Sequence, residues 1–388
     1  MLFRGKKTIF LTLSTILLLA PLQLASGNPA DSEKCRLKKV SSWPLAPGFP
    51  RDSTLVASTG KIRHLFIYVD FPDNKSAQAS KSFANQYFIE AKNFLETQSY
   101  GRLQIESDTT PKVFRINKNS AVYGMSQDGR GNATQLIQDA INAADSLIDF
   151  SLYDFITVLP PKNTTKIKFG GTYMGSSSQY VSEEKSFSSA IVIGRNKLSN
   201  FSQRGFGWSM FSHEVGHVLG LTHPYYQPEG MPGAIWDLMG NGGTSVPEFI
   251  GWHRYELGWL TDSEIYCGSF SDVNSQKVTL APINFKGTNQ KYAIITIDAT
   301  KAIGIEVRRA SKYDQLKKSE EGTLVYLIDV TKGDDQGIIT VLGSKKTLKE
   351  GQILRSLKEN EEVSYQGLTI RVIDSNKFGD TVEIKAKA

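Results

Sequence analysis

The stretch HEVGHVLGLTH at residues 213–223 decides how this chain is interpreted, because it places three of the five histidines within eleven positions. On an α-helix, His213 and His217 are one turn apart and project from the same face, so both imidazoles can reach one metal ion. Gly220 allows the backbone to leave the helix in a tight turn, which then delivers His223 as a third nitrogen ligand. Three protein ligands leave one coordination position for water, which is typical of a catalytic zinc site.

An acidic residue, Glu214, follows the first histidine and can face the same cleft without binding the metal. A carboxylate in this place accepts a proton from the attacking water and passes it to the departing amine. The motif therefore predicts a zinc-dependent endopeptidase in which His213, His217 and His223 hold one zinc ion and Glu214 is the general base.

Two other functions stay open. One is an inactive zinc-binding surface or adhesion protein, and the other is a zinc hydrolase that acts on non-peptide amides. The intact Glu214 argues against the first function, because a binding protein does not need a proton acceptor beside the metal. The motif alone does not separate a peptidase from the second.

A glycine-rich segment, IWDLMGNGG at residues 235–243, places Met239 in a tight turn. Together with the histidine motif, this segment resembles the Met-turn of the metzincin metallopeptidases, in which a methionine forms an apolar floor beneath the ligand histidines. An unbranched thioether can fill an irregular gap there without competing as a strong ligand. The resemblance implies this structural role for Met239.

From about residue 62 to 330, the chain resembles the secreted metallopeptidases of the immune inhibitor A type. The likeness is strongest between residues 205 and 260. Besides the histidine motif, the matching strings are VDFPD at 69–73, SYG at 99–101, WDLM at 236–239, ELGWL at 256–260, EVRR at 306–309, YD at 313–314 and GTLVY at 322–326. Members of that family often carry an acidic residue where this chain has His223, which follows the general metzincin pattern. The resemblance implies protein or peptide substrates.

Residues 1–27 are predicted to be a secretory signal peptide, because basic residues precede an apolar run from Ile9 to Ala20 and a small-residue cleavage site. That run is shorter than the roughly 18 apolar residues that a membrane span needs, and no later segment is predicted to cross a bilayer. Arg4, Lys6 and Lys7 carry three of the six net positive charges. The dispersed charges that remain do not indicate nucleic-acid binding. We expect a secreted protein, with a monomer as the expected state.

The chain has two cysteines, Cys35 and Cys267. In an exported protein they favour one disulfide that ties the N-terminal segment to the end of the catalytic region. In an alternative interpretation, the Cys35 thiolate is a latency switch that occupies the open zinc position until an N-terminal segment is removed. The disulfide is preferred because Cys267 would otherwise be an unpaired secreted thiol.

Apolar periodicity predicts an alternation of strands and helices before residue 220. The expected strands are 65–73, 103–107, 154–159 and 189–194, and the expected helices are 79–98, 131–148 and 207–220. This order predicts an α/β (α+β) metzincin-like peptidase domain with a twisted sheet and an active-site helix. Within the segment 167–194, an edge strand is expected to line the cleft and to bind an extended peptide by strand addition.

After Trp259, the pattern changes to short alternating apolar runs that polar turns separate, which predicts an all-β, sandwich-like C-terminal domain. Asp334 and Asp335 are compatible with a structural calcium site, but an exposed turn is the better expectation. The expected divisions are 1–27 for the signal peptide, 28–60 for a strap or short pro-segment, 61–267 for the catalytic domain and 268–388 for the β domain.

Overall fold

The computed structural model describes residues 33–76, 81–125, 131–168, 170–174, 180–194, 207–225, 236–240, 248–343 and 356–386. The predicted signal peptide lies outside these ranges. Within them the chain forms a mixed α/β structure that is followed by a strand-rich C-terminal region, as the sequence predicts. The described helices include none with the length and apolar character that crossing a membrane requires.

The first part of the chain alternates strands with helices, and it contains all four described α-helices. The helices are α1 (Lys81–Gln98), α2 (Ala133–Ala144), α3 (Gly207–Val218) and α4 (Gly251–Glu256). The strands are β1 (Gly60–Asp70), β2 (Leu103–Thr109), β3 (Phe114–Arg115), β4 (Phe155–Leu159), β5 (Thr172–Met174), β6 (Tyr180–Val181), β7 (Ser186–Phe187) and β8 (Ser189–Val192).

The larger N-terminal sheet has the strand order β2-β1-β4-β8-β5, with β3 paired to β1. The strands from β2 to β8 in this order run parallel, and β5 is antiparallel to β8 at the edge. Parallel strands are covered by helices on both faces, so their sequences are apolar almost throughout. In β1, Phe66 faces the cluster that α1 and α3 share, and Ile67 faces the cluster that includes α2. The candidate zinc helix, α3, therefore packs beneath one face of the sheet.

The C-terminal region forms two further sheets. Its strands are β9 (Ile265–Ser269), β10 (Ser275–Leu280), β11 (Tyr292–Thr296), β12 (Lys301–Arg308), β13 (Gly322–Asp329), β14 (Ile339–Leu342), β15 (Glu362–Tyr365), β16 (Leu368–Asn376) and β17 (Gly379–Ala386). One sheet has the order β10-β17-β16-β15 and the other β14-β13-β12-β11-β9. Side chains from both sheets, such as Ile303 and Val372, form one buried cluster.

The five-stranded sheet is buried on both faces. Val325 faces the neighbouring sheet, whereas Leu324 and Tyr326 face a cluster that also contains Trp236 and Trp252. This alternation follows from the two-residue period of side chains along a strand. The C-terminal strands and the segments around the candidate site therefore share one hydrophobic core.

Residues 33–59 form a strap with little regular structure, and it packs against the turn that ends α3. The guanidinium of Arg51 donates to the carbonyl of Leu219 at 2.9 Å, and the indole of Trp259 donates to the carbonyl of Ser58 at 2.7 Å. The side chain of Leu55 fills the space beside Gly220. The strap thereby supports the turn that ends α3.

Candidate metal centre

Helix α3 ends in the tight turn that the sequence predicts. Gly220 has a φ of +103°, a left-handed conformation that a side chain would resist. Its N–H donates to the carbonyl of His217 at 2.9 Å, and the N–H of Leu221 donates to that of Gly216 at 2.9 Å. These two bonds form a Schellman motif. The motif reverses the chain so that residue 223 returns toward the helix.

The structure brings the three predicted ligand histidines together. Nε2 of His213 and Nε2 of His223 are 3.3 Å apart. The ring centroid of His217 lies 4.8 Å from that of His213 and 4.6 Å from that of His223. One ring nitrogen from each histidine can be chosen so that all three lie within 4.8 Å of one another.

Two of the imidazoles donate to backbone carbonyls through their other nitrogen, and the third lies beside a carboxylate; these partners come from separate segments. Nδ1 of His213 donates to the carbonyl of Leu238 at 2.9 Å, and Nδ1 of His217 donates to that of Leu221 at 2.7 Å. Nδ1 of His223 lies 3.0 Å from Oδ1 of Asp334. A carbonyl can only accept, so the neutral rings of His213 and His217 carry their proton on Nδ1 and present a lone pair at Nε2.

This arrangement fits a zinc ion. Two nitrogens that each lie about 2.1 Å from one tetrahedral zinc are roughly 3.4 Å apart, close to the 3.3 Å that separates Nε2 of His213 from Nε2 of His223. Burial lowers the pKa of His217 to about 3, so this ring is neutral at physiological pH, as a ligand must be.

The third histidine has a distinct electrostatic environment. Burial lowers the pKa of His223, but the hydrogen bond to Asp334 and the charges of Asp334 and Asp335 more than offset this effect and leave the pKa raised. The same pairing with His223 lowers the pKa of Asp334 against the opposing effect of burial. A carboxylate behind an imidazole makes that ring a stronger metal ligand.

Glu214 is buried beside the histidines. Its negative charge partly offsets the burial that lowers the pKa of His217, and it adds to the rise in the pKa of His223. Its Oε2 accepts a hydrogen bond from the backbone N–H of Thr172 at 2.7 Å, and the Thr172 hydroxyl lies 3.0 Å from the same oxygen. A Cβ at Gly171 would lie only 3.4 Å from that oxygen, so glycine leaves room beside the carboxylate. The edge strand β5 therefore orients Glu214.

Met239 lies fully buried against the helix that carries the histidines. Its N–H donates to Oδ1 of Asp237 at 2.7 Å, while Oδ2 of Asp237 accepts from the N–H of Ile250 and from Nδ1 of His253, both at 2.9 Å. The carboxylate of Asp237 thus stabilises the turn through three hydrogen bonds. The turn in return supplies the Leu238 carbonyl that holds His213.

Cys35 and Cys267 form a disulfide, which confirms the preferred interpretation of the two cysteines. Cys267 lies on β9, and Cys35 lies in a short 3₁₀ helix at the start of the strap. The latency switch required a free Cys35 thiol, and the described residues contain no free cysteine. The disulfide is compatible with an oxidising, extracytoplasmic location.

The turn at Asp334 and Asp335 differs from the sequence expectation. The two residues do form a turn, but it is half-buried against His223 rather than exposed. No local pattern signals this contact, because Asp334 and His223 are 111 residues apart. Asp334 and Thr172 are the two residues near the site that sequence reasoning missed.

No protein-family model matches the chain, and no curated protein matches it. These comparisons therefore identify no family. The functional assignment depends on the motif and on the geometry of the residues around it.

Proposed function

We propose that this chain is a secreted zinc-dependent endopeptidase of the metzincin type, similar to the immune inhibitor A type. The observation that carries the proposal is the convergence of the imidazoles of His213, His217 and His223 beside the buried carboxylate of Glu214. Nδ1 of His213 and of His217 donates to a backbone carbonyl, and that of His223 lies 3.0 Å from Asp334. A structural zinc site is closed by four protein ligands. Three imidazoles with an adjacent base are instead typical of hydrolytic centres.

When bound, zinc supplies Lewis acidity that polarises the scissile carbonyl and makes water a better nucleophile at neutral pH. Glu214 accepts the proton of the attacking water and then delivers it to the nitrogen of the leaving amine. Thr172 holds Oε2 of Glu214 through its backbone N–H at 2.7 Å. Its hydroxyl lies 2.8 Å from the Glu214 carbonyl and 3.0 Å from Oε2, which anchors β5 to the same residue. The pKa of Tyr173, raised to about 12 by burial and by the charge of Glu214, keeps this neighbouring phenol neutral.

The edge strand β5 supports a peptide substrate. It pairs with β8 on one side, and it ends the described order of strands in its sheet. An extended peptide that adds to a sheet edge is held by backbone hydrogen bonds. Because β5 also contacts Glu214, such a peptide would lie next to the proton acceptor. This supports peptides over smaller amides as substrates.

The proposal is tested by the cleavage-site profile of the purified protein on a denatured proteome, read by mass spectrometry with and without a chelator. We expect many internal cleavages that the chelator abolishes and added zinc restores. Zinc binding without cleavage would instead favour the surface-binding protein. Hydrolysis of small amides alone would favour the non-peptide hydrolase.

The role of β5 has its own test. Tyr173→Ala and Met174→Ala should change the preferred residues around the cleaved bond more than they change the unfolding temperature. An unchanged cleavage profile together with a large loss of stability would assign β5 a structural role only.

A further inference from the structure

The loop that joins β13 to β14 in the C-terminal region reaches the candidate metal centre. Oδ1 of Asp334 accepts the backbone N–H of His223 at 2.7 Å, and the same oxygen lies 3.0 Å from Nδ1 of the His223 ring. One carboxylate oxygen therefore contacts both the main chain and the side chain of a single histidine. The backbone hydrogen bond fixes the position of the residue, and the negative charge beside Nδ1 favours this orientation of the ring.

Two backbone hydrogen bonds strengthen this connection. The N–H of Asp335 donates to the carbonyl of His223 at 3.2 Å, and the N–H of Ile339 donates to the carbonyl of Pro224 at 2.9 Å. Residues 221–224 belong to no helix or strand. The segment that carries the third histidine is consequently held by the C-terminal region on one side and by the Schellman turn on the other.

The loop itself has internal support. Oδ1 of Asp329 accepts the N–H of Thr331 at 3.1 Å, and the N–H of Asp329 donates to the carbonyl of Ile338 at 2.9 Å, which closes the base of the loop. Gly333 and Gln336 exchange two hydrogen bonds across its tip, at 3.1 and 3.2 Å. The position of Asp334 is thus set by the hairpin and not by the zinc helix.

We propose that Asp334 is the positioning residue for the third metal ligand, so that the metal centre is assembled jointly by α3 and the C-terminal region. The proposal rests on the proposed function in one respect, namely that His223 binds the metal. His213 and His217 are oriented by backbone carbonyls, which no substitution removes. Asp334 is the orienting group of this centre that a point mutation can delete. Outer partners of this kind typically contribute 10–100-fold to metal affinity.

The test measures zinc affinity of the full mature chain by competition with a chromogenic chelator. Asp334→Ala should bind zinc about 10–100-fold more weakly than the wild type. The cobalt(II)-substituted protein should show a changed visible absorption spectrum, because the His223 ring is no longer held. A merely structural role would change neither readout in protein that remains folded.

Asp335→Asn is the matched control. Its side chain lies in the same turn, but its Oδ1 is 3.7 Å from Nδ1 of His223, and asparagine tolerates the φ of +56° at this position. This variant should keep zinc affinity within about threefold of the wild type, well short of the loss expected at the positioning residue. Wild-type affinity and spectrum in Asp334→Ala would overturn the proposal.

Folding of the metal-free proteins is followed by circular dichroism and by the unfolding temperature in the presence of a chelator. If Asp334→Ala does not fold, Asp334→Asn decides, since its amide oxygen can still accept both contacts but lacks the charge. Because the contacts remain, the proposal predicts a wild-type cobalt(II) spectrum and an affinity within about tenfold of the wild type, and a larger loss of affinity in folded protein would overturn the positioning role. A wild-type protein that binds zinc but cleaves no peptide would refute the proposed function while leaving the role of Asp334 intact.

Discussion

The sulfur of Met239 occupies the space that any side chain at Gly216 would need, because a Cβ built at position 216 overlaps that sulfur. Gly216 lies on α3 between the two histidines of the helix, and the methionine comes from a turn more than twenty residues later. The absence of a side chain at position 216 therefore lets the turn approach the helix backbone. That approach also brings the Leu238 carbonyl within 2.9 Å of His213.

Gly216→Ala should lower the free energy of unfolding by up to about 2 kcal/mol. Overpacking a buried contact costs about 1–3 kcal/mol, and the better helix propensity of alanine returns only about 1 kcal/mol. Urea unfolding measures the change. In a Met239→Ala background the same substitution should be neutral or stabilising. If Gly216→Ala lowers the free energy of unfolding equally in the wild type and in Met239→Ala, the contact with the Met239 sulfur is not the cause of the destabilisation.

Glu214→Gln should retain zinc at wild-type stoichiometry and lose about 10²–10⁴-fold in kcat/KM on a fluorogenic peptide, because the amide cannot accept the proton. The glutamine carbonyl can still accept from Thr172, so the geometry is preserved. Glu359→Gln is the exposed control and should leave turnover unchanged. Comparable turnover in Glu214→Gln would remove Glu214 from the role of base.

His64 should make the protein sensitive to acid. It is fully buried between the hydroxyls of Ser107 and Thr157, and burial lowers its pKa to about 3. Between these two pKa values, the His64 ring therefore stays neutral in the folded state but takes up a proton in the unfolded chain, where its pKa is near 6.5. The contribution of His64 to the free energy of unfolding is therefore fully present above about pH 6.5. It is lost on acidification toward pH 3, by up to about 1.4 kcal/mol per pH unit.

This pH dependence is checked by urea unfolding at a series of pH values. In His64→Gln, the slope of the free energy of unfolding against pH between 6.5 and 4 should decrease by up to about 1.4 kcal/mol per pH unit, which is the effect of one proton bound only by the unfolded chain. A slope identical to that of the wild type would show that His64 does not titrate in this way.

Removing the disulfide by substituting both Cys35 and Cys267 with alanine should destabilise the protein by about 2–5 kcal/mol, because the bond closes a very long loop. Zinc affinity should stay within about threefold of that of the wild type, since the bond joins the strap to β9. It supplies none of the groups that contact the ligand histidines, whose loss costs tenfold or more in affinity. A rise in peptidase activity of Cys35→Ala over the wild type would instead revive the latency interpretation.

The parts of the structure that sequence predicted are those with strong local patterns. Runs such as the one around Phe66 are apolar on both faces because parallel strands are covered on both sides. The observed β4 follows its expected run closely, whereas β1 begins five residues before the expected run 65–73 and ends three residues before its end. The stripe that includes Ala91 and Phe94 predicted α1 at helical spacing. The histidine spacing predicted both α3 and the glycine turn that ends it.

The parts that sequence missed depend on distant contacts. Thr172 holds Glu214 mainly through a backbone N–H, and every residue except proline offers that group. Asp334 and His223 are 111 residues apart in the chain, and no local pattern encodes their contact. Helix α4 is short, and half-polar strands such as β10 and β15 bury too few apolar residues for their alternation to be recognised.

The 111 residues between His223 and Asp334 have a consequence for biosynthesis. A ribosome-bound chain that has emerged as far as residue 260 already carries Glu214 and the three candidate ligand histidines. The β13–β14 hairpin that contacts His223 has not yet been completed. Tight metal acquisition is therefore expected to follow completion of the chain. For the proposed peptidase, nascent protein would thereby be spared proteolysis by its own unfinished neighbours.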